Sequence, residues 1–328
     1  MHDFASNDRE GARRSAQLPL PAARAIARVA MRPLLNPRFR VETVRGGLDL
    51  LTRFPRLPEG VEIETVTLGG RATDRISTAD SRDDRAVLYF HGGGYCFGSR
   101  RTHRALTAHL AAHVGATVFV PDYRLAPEDP YPAALDDALA TYQDLLDRGF
   151  DPAQVAVAGD SAGGGLSLAL ALRIRKAELA QPAVVGLISP LVDARLEGLN
   201  DKVRDPLLTR AFLEWCIDNY GGQSSNRALR TTHELSPLLA DLSGFPPLVV
   251  HHGSEEILRD DILRFVTVAR TAGVTVTHRE LKRHWHVTHL LAGTVREATA
   301  AVELLGSSIR SAFGDPRQES SVGSRHGE

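Results

Sequence analysis

Two glycine-rich motifs frame the chemistry this chain could do. Ser161 stands in Gly159-Asp160-Ser161-Ala162-Gly163, directly after the apolar run 155–158 and before a helical stretch rich in small residues. A strand-to-helix turn of this kind is tight, so its flanks need residues without side chains. It lifts the serine Oγ clear of the sheet and sets it at a helix N-terminus, where the dipole favours developing negative charge. With Gly164-Gly165 following, the setting reads as a nucleophilic serine rather than an ordinary glycine turn.

The second motif, His91-Gly92-Gly93-Gly94, follows the apolar run 86–90. Attack by Ser161 on a carbonyl would put negative charge on its oxygen, which needs preorganised N–H donors. Gly92, Gly93 and Ala162 are the expected oxyanion donors. A phosphate loop is the rival reading of such glycines, but no Gly-Lys-Ser/Thr follows and no G-x-G-x-x-G is present. His91 itself is expected to anchor the loop.

The general base is expected at His286, within Arg283-His284-Trp285-His286-Val287-Thr288-His289. A histidine downstream of serine and acid fits the chain order Ser…Asp/Glu…His. Three histidines so close could also hold a metal. No paired acidic ligands and no H-E-x-x-H accompany them, so neither metal nor cofactor is expected. His284 and His289 are then expected at the surface or packed around the base. The acid should hang from the loop after 248–250, where Glu255, Glu256, Asp260 and Asp261 compete to accept a hydrogen bond from His286 Nδ1. Acids opening a helix are commonly dipole complements, which suits Asp260 and Asp261.

These groups need a scaffold. Residues 61–68 alternate as a half-buried strand does, and short apolar runs follow at 86–90, 117–120, 155–158, 184–188, 248–250 and 274–277. Helical stretches at 102–113, 132–147, 164–176 and 260–272 separate most of them. Strands buried on both faces read as continuous apolar runs, and helical crossovers force parallel pairing. The expected architecture is α/β, a mostly parallel central sheet covered by helices on both faces. Between Pro190 and Phe245 the rhythm breaks, the mark of a lid or substrate-binding insertion.

Bulk properties narrow the function. The 328 residues are 43% hydrophobic and 24% charged with a formal net charge of −1, so no global field favours nucleic acid or an anionic surface. Only Lys176, Lys202 and Lys282 are lysines among 39 basic residues, and the arginines are scattered, a codon-usage signature rather than phosphate recognition. Cys96 and Cys216 are too few for a disulfide framework, and no secretory h-region is evident, so a cytoplasmic location is expected. No apolar run is long enough for stable membrane insertion. Residues 18–35 form an amphipathic pattern with Arg24, Arg28 and Arg32 four apart. It is read as a surface helix packing Ile26, Val29 and Ala30 on the domain, with a membrane-surface stripe as the rival reading.

Several motifs in order resemble the hormone-sensitive lipase family, the bacterial carboxylesterase branch of the α/β-hydrolases. The resemblance covers residues 86–304. It rests on His91-Gly92-Gly93-Gly94, Asp122-Tyr123-Arg124-Leu125-Ala126-Pro127-Glu128, the run 159–164, and Ser236-Pro237-Leu238 before Pro246-Pro247. It implies an α/β-hydrolase fold over 56–313, a helical cap from 1–55 and an insertion at about 193–240; the polar, Ser/Gly-rich composition of 314–328 reads separately as a disordered tail. The family's Gly-x-x-Asp-x-Leu pattern, laid on Gly253-Ser254-Glu255-Glu256-Ile257-Leu258, puts the acid at Glu256, a glutamate in place of the usual aspartate, with Glu255 as runner-up. The turn His286-Val287-Thr288 matches the family's histidine and favours His286 over His284. Tyr95 and Phe97 are expected in the substrate pocket, with Leu207, Leu208, Phe212 and Trp215 of the insertion. Arg124 is expected to pair with a nearby acid.

The resemblance implies hydrolysis of a small-molecule ester with short- to medium-chain acyl groups, and a homodimer through the last strand. Amide, formamide or lactone hydrolysis would use the same groups. A non-catalytic receptor on this scaffold is a third reading, disfavoured by intact Ser161 and His286.

Overall fold

Continuous apolar runs become central strands when both faces of a sheet are covered. The protein, described by a computed structural model for residues 17–222 and 227–313, follows that rule. Its strands are β1 (Glu62–Leu68), β2 (Arg71–Ser77), β3 (Arg82–Phe90), β4 (Ala116–Pro121), β5 (Val155–Asp160), β6 (Val184–Ile188), β7 (Leu248–Gly253) and β8 (Val276–Leu281). They form one sheet in the order β1-β2-β4-β3-β5-β6-β7-β8. β2 runs antiparallel to β1 and β4, and every pair from β4 to β8 is parallel.

The helices are α1 (Leu20–Ile26), α2 (Val41–Leu51), α3 (Arg104–Val114), α4 (Ala133–Asp147), α5 (Ser161–Lys176), α6 (Arg210–Tyr220), α7 (Arg227–Arg230), α8 (Arg259–Thr271) and α9 (Arg296–Arg310). The two-residue period of a strand divides the core. Leu88, Phe90, Val155 and Val157 face one apolar cluster with α4, α5 and α8. Val87, Tyr89, Ala156 and Ala158 face the other, closed by α3 and α9. Between β6 and β7 the described residues contain no strand; α6 and α7 lie there.

Two departures from the sequence reading have physical reasons. Strand β2 was not anticipated, because Arg-Ala-Thr-Asp-Arg-Ile-Ser looks polar. Its Asp74 is nevertheless buried and holds ion pairs with Arg100 and Arg104, the latter at 2.8 Å, so the polar letter is satisfied inside. The second departure is at the N-terminus. Helix α1 passes into a π-helical turn, Ala27–Met31, and buries Leu20, Ala23 and Ala27 instead. Ile26 and Val29 point outward at 53% and 76% exposure, with Ala30 also exposed. Arginine side chains hold the inner side: Arg24 pairs with Glu255, and Arg32 donates to the Asp205 carbonyl at 2.7 Å. Arg124 pairs with Asp137 at 2.8 Å.

Candidate active site

β5 ends at Asp160 and α5 begins at Ser161, whose φ of 53° lies in the left-handed region. A non-glycine residue there is strained and needs surrounding contacts to hold it. Gly163 shows why the turn admits no side chain: a Cβ there would lie 2.1 Å from the Phe90 carbonyl oxygen. The turn presents Ser161 Oγ to His286 Nε2 at 2.8 Å. His286 arrives on the loop after β8, and Val287, with φ 48°, turns the chain into a short 3-10 segment, Thr288–Leu291.

Glu256 is fully buried behind the histidine, its Oε2 4.0 Å from His286 Nδ1. That oxygen accepts from Ser189 Oγ at 2.6 Å and Gly253 N at 3.2 Å. Ser189 Oγ in turn accepts from Val287 N at 3.2 Å, so one hydroxyl joins the acid loop to the histidine loop. Glu256 Oε1 and His286 Nδ1 are buried without a hydrogen-bond partner. Burial pushes Glu256 up to about 8, against the Ser189 hydrogen bond and with help from the Asp205 charge. Burial likewise lowers His286 to about 4, against the Asp160 charge, so the imidazole is neutral at pH 7 with a nitrogen lone pair available to accept a proton. Glu255 turns away into its ion pair with Arg24.

The backbone N–H groups left free beside Ser161 differ from expectation at one residue. Gly92 N donates to Asp160 Oδ1 at 3.0 Å and lies 3.2 Å from His103 Nε2, so its N–H is committed inside the protein. Among the described residues no acceptor takes the N–H of Gly93 or Gly94, and Ala162 N is in the open first turn of α5. Gly94, which the glycine motif alone did not single out, thus has a free N–H beside that of Gly93. Both carry positive φ, 127° and 58°, and a Cβ on Gly93 would fall 2.0 Å from the Phe97 carbonyl oxygen. Burial opposes ionisation of Asp160, but the interactions with His103 and the Tyr89 hydroxyl outweigh it and its pKa is lowered.

Ser161, His286, Gly92, Gly93, Gly94 and Ala162 open on one apolar cavity of about 100 Å³. Leu207, Leu208, Phe212 and Phe97 line it as expected. Tyr95 and Trp215 do not. Tyr95 has φ 62° and stacks on Tyr220 with ring centroids 3.9 Å apart, away from the cavity. Trp215, three residues along α6 from Phe212, stacks on the outer side of that ring at 5.5 Å. The N-terminal segment supplies walls that no motif announced: Met31, Leu35, Leu48 and Thr52. His284 and His289 are both buried, and the His289 ring lies 5.7 Å from that of His251. His91 anchors its loop, stacked on Tyr123 at 4.3 Å. Cys96 and Cys216 are free and buried, the Cys96 thiol donating to the Cys216 carbonyl at 3.6 Å.

Residues 87–290 match the family model described as alpha/beta hydrolase fold. The acetyl-hydrolase of Streptomyces hygroscopicus is 38% identical over 77% of this chain and 84% of its own. The carboxylesterase NlhH of Mycobacterium tuberculosis is 33% identical over 82% of this chain and 88% of its own. Among solved structures, an esterase from the bacterial hormone-sensitive lipase family superposes with a TM-score of 0.83 at 32% identity, covering 90% of this chain and 98% of that one. A hormone-sensitive lipase from a metagenome library gives 0.85 at 33% identity, over 91% and 100%.

Proposed function

The chain belongs to the alpha/beta hydrolase fold family, and on that footing we propose that it is a serine carboxylesterase acting on short- to medium-chain acyl esters through an acyl-enzyme. His286 Nε2 takes the proton from Ser161 Oγ as that oxygen attacks the ester carbonyl. The N–H groups of Gly93, Gly94 and Ala162 stabilise the oxyanion. Collapse expels the alcohol, which receives its proton from His286, and water repeats the sequence to release the acid. Glu256 in its ionised form stabilises the imidazolium between the two proton transfers.

The 2.8 Å contact between Ser161 Oγ and His286 Nε2, at a strained turn inside an apolar cavity, carries this reading. The small cavity favours short acyl chains. The same groups would serve an amide or a lactone, but the acetyl-hydrolase and carboxylesterase relatives favour esters. In this reading residues 1–55 and about 193–240 form the cap over the 56–313 domain; residues 1–16 and 223–226 of that cap and the 314–328 tail lie outside the described residues.

A panel of nitrophenyl esters of increasing chain length tests the proposal. Turnover should be greatest at the short end, and Ser161→Ala should lower it by at least about a thousandfold. Near-normal turnover by Ser161→Ala would overturn the assignment.

A further inference from the structure

Residues 26–57 carry a surface that catalysis does not use. Of the ten large apolar side chains left exposed among the described residues, seven fall in this stretch, Val29, Leu50 and Phe54 at 76%, 69% and 85%. Single exposed apolar residues need no explanation. These, however, alternate along two segments with the residues that wall the cavity. Met31 and Leu35 face inward beside Ile26 and Val29, and Leu48 and Thr52 face inward beside Leu50, Leu51 and Phe54. The segments pack closely, since a Cβ on Gly47 would fall 2.6 Å from Leu34 Cδ2.

Charge supplies the second observation. Between residues 24 and 57 there are eight arginines against two acids, Glu42 and Asp49, in a chain whose net charge is −1. Arg24, Arg32 and Arg45 are engaged with Glu255, the Asp205 carbonyl and Glu128. The side chains of Arg28 and Arg38 have no protein partner among the described residues, and Arg53 lies over the Phe54 ring at 5.5 Å.

We propose that this face docks on an anionic phospholipid surface. Outward apolar side chains enter the headgroup boundary while the arginines meet lipid phosphates, the pattern of an interfacial helix. Contact is peripheral, since no helix among the described residues is long and apolar enough to cross a membrane. A second copy of the chain fits less well, because a two-fold contact through this face would set arginines against arginines. The inference is independent of the esterase reading, since vesicle binding is measured without turnover.

Sedimentation of the full chain with vesicles of phosphatidylcholine, alone or mixed with phosphatidylglycerol, tests it. The wild type should bind the mixed vesicles about tenfold better, with the preference lost in high salt. Val29→Ser/Leu50→Ser/Phe54→Ser should abolish binding, and Arg28→Glu/Arg38→Glu should remove the anionic preference. Both variants should keep wild-type turnover of a water-soluble acetate ester and the wild-type unfolding midpoint; if the triple variant misfolds, the arginine pair carries the test. Wild-type protein left in the supernatant, or variants that bind like it, would overturn the proposal. So would a wild-type dimer in light scattering that the triple variant converts to monomer, since the face would then belong to a second copy.

Discussion

Ser189 Oγ donates a 2.6 Å hydrogen bond to the same Glu256 oxygen that stands 4.0 Å from His286 Nδ1. Ser189 sits just past β6 with φ 46°, a strained position that aims its hydroxyl between the acid and histidine loops. The bond favours the carboxylate form that the proposed mechanism needs, against the desolvation that raises Glu256 to about 8.

Ser189→Ala should therefore move the pH profile. Activity that needs an ionised Glu256 rises with pH through about 8, while His286, lowered to about 4, is neutral throughout that range. Removing the Ser189 donor raises Glu256 further, so the acidic limb of kcat/KM should shift to higher pH. At pH 7 turnover should fall by about tenfold. A limb that stays in place would show that Ser189 does not tune the acid.

Glu256→Gln and Glu255→Gln separate the two adjacent acids. A neutral amide in place of the Glu256 carboxylate could not stabilise an imidazolium, and kcat should drop at least about a hundredfold. The Glu255→Gln change would break only the partly exposed ion pair with Arg24, so kcat should stay within about twofold of wild type. The reverse ranking in steady-state kinetics would exchange their roles.

Tyr89→Phe probes the tether that commits the Gly92 N–H to Asp160. Asp160 Oδ1 accepts from the Tyr89 hydroxyl at 2.8 Å and from Gly92 N at 3.0 Å. Loss of the hydroxyl leaves a buried carboxylate one donor short, a destabilisation of about 1.5–3 kcal/mol in guanidinium unfolding. Turnover should change little, because Gly93 and Gly94 keep their N–H groups free. An unchanged midpoint would mean that Asp160 is not held as a charge.

Acid should weaken the fold. Burial lowers His91 and His286 to about 4 and His251 to about 3, and takes His289 well below its usual value. From about pH 6.5 down to about 4 the unfolded chain binds protons that these folded imidazoles refuse. Stability is then lost by up to about 1.4 kcal/mol per pH unit for each imidazole. Glu256 and Asp261, raised by burial to about 8 and about 6, work in the opposite direction. With His109, His252 and His278 also lowered by burial, these imidazoles outnumber the three raised carboxyls, Glu256, Asp261 and Asp205, so the urea midpoint should fall below about pH 6. His251→Gln should flatten that fall, and a midpoint constant down to about pH 4.5 would contradict the account.

Much of this was legible in the residues. Runs such as 184–188 became central strands because a doubly covered sheet buries both faces of a strand, here Val184, Val185, Leu187 and Ile188. The Ser161 turn was legible because only glycine fits at Gly163 against the Phe90 carbonyl. Strand β2 was hidden because its buried Asp74 finds its arginines 26 and 30 residues away. The N-terminal pattern was read on the wrong side because Arg24 and Arg32 have acceptors on the body, which no periodicity within the segment can reveal.

Residue types and their order determined the fold class, the serine turn and the downstream histidine, since each follows from local backbone demands or from periodicity along the chain. Tertiary structure alone decided which glycine N–H groups remain free, because Gly92 is committed to a carboxylate 68 residues away. It also turned Tyr95 onto Tyr220, brought Ser189 between Glu256 and His286, and set the N-terminal segment against the cavity. Hydrogen-bond partners and burial are settled through space, between residues that the sequence keeps far apart.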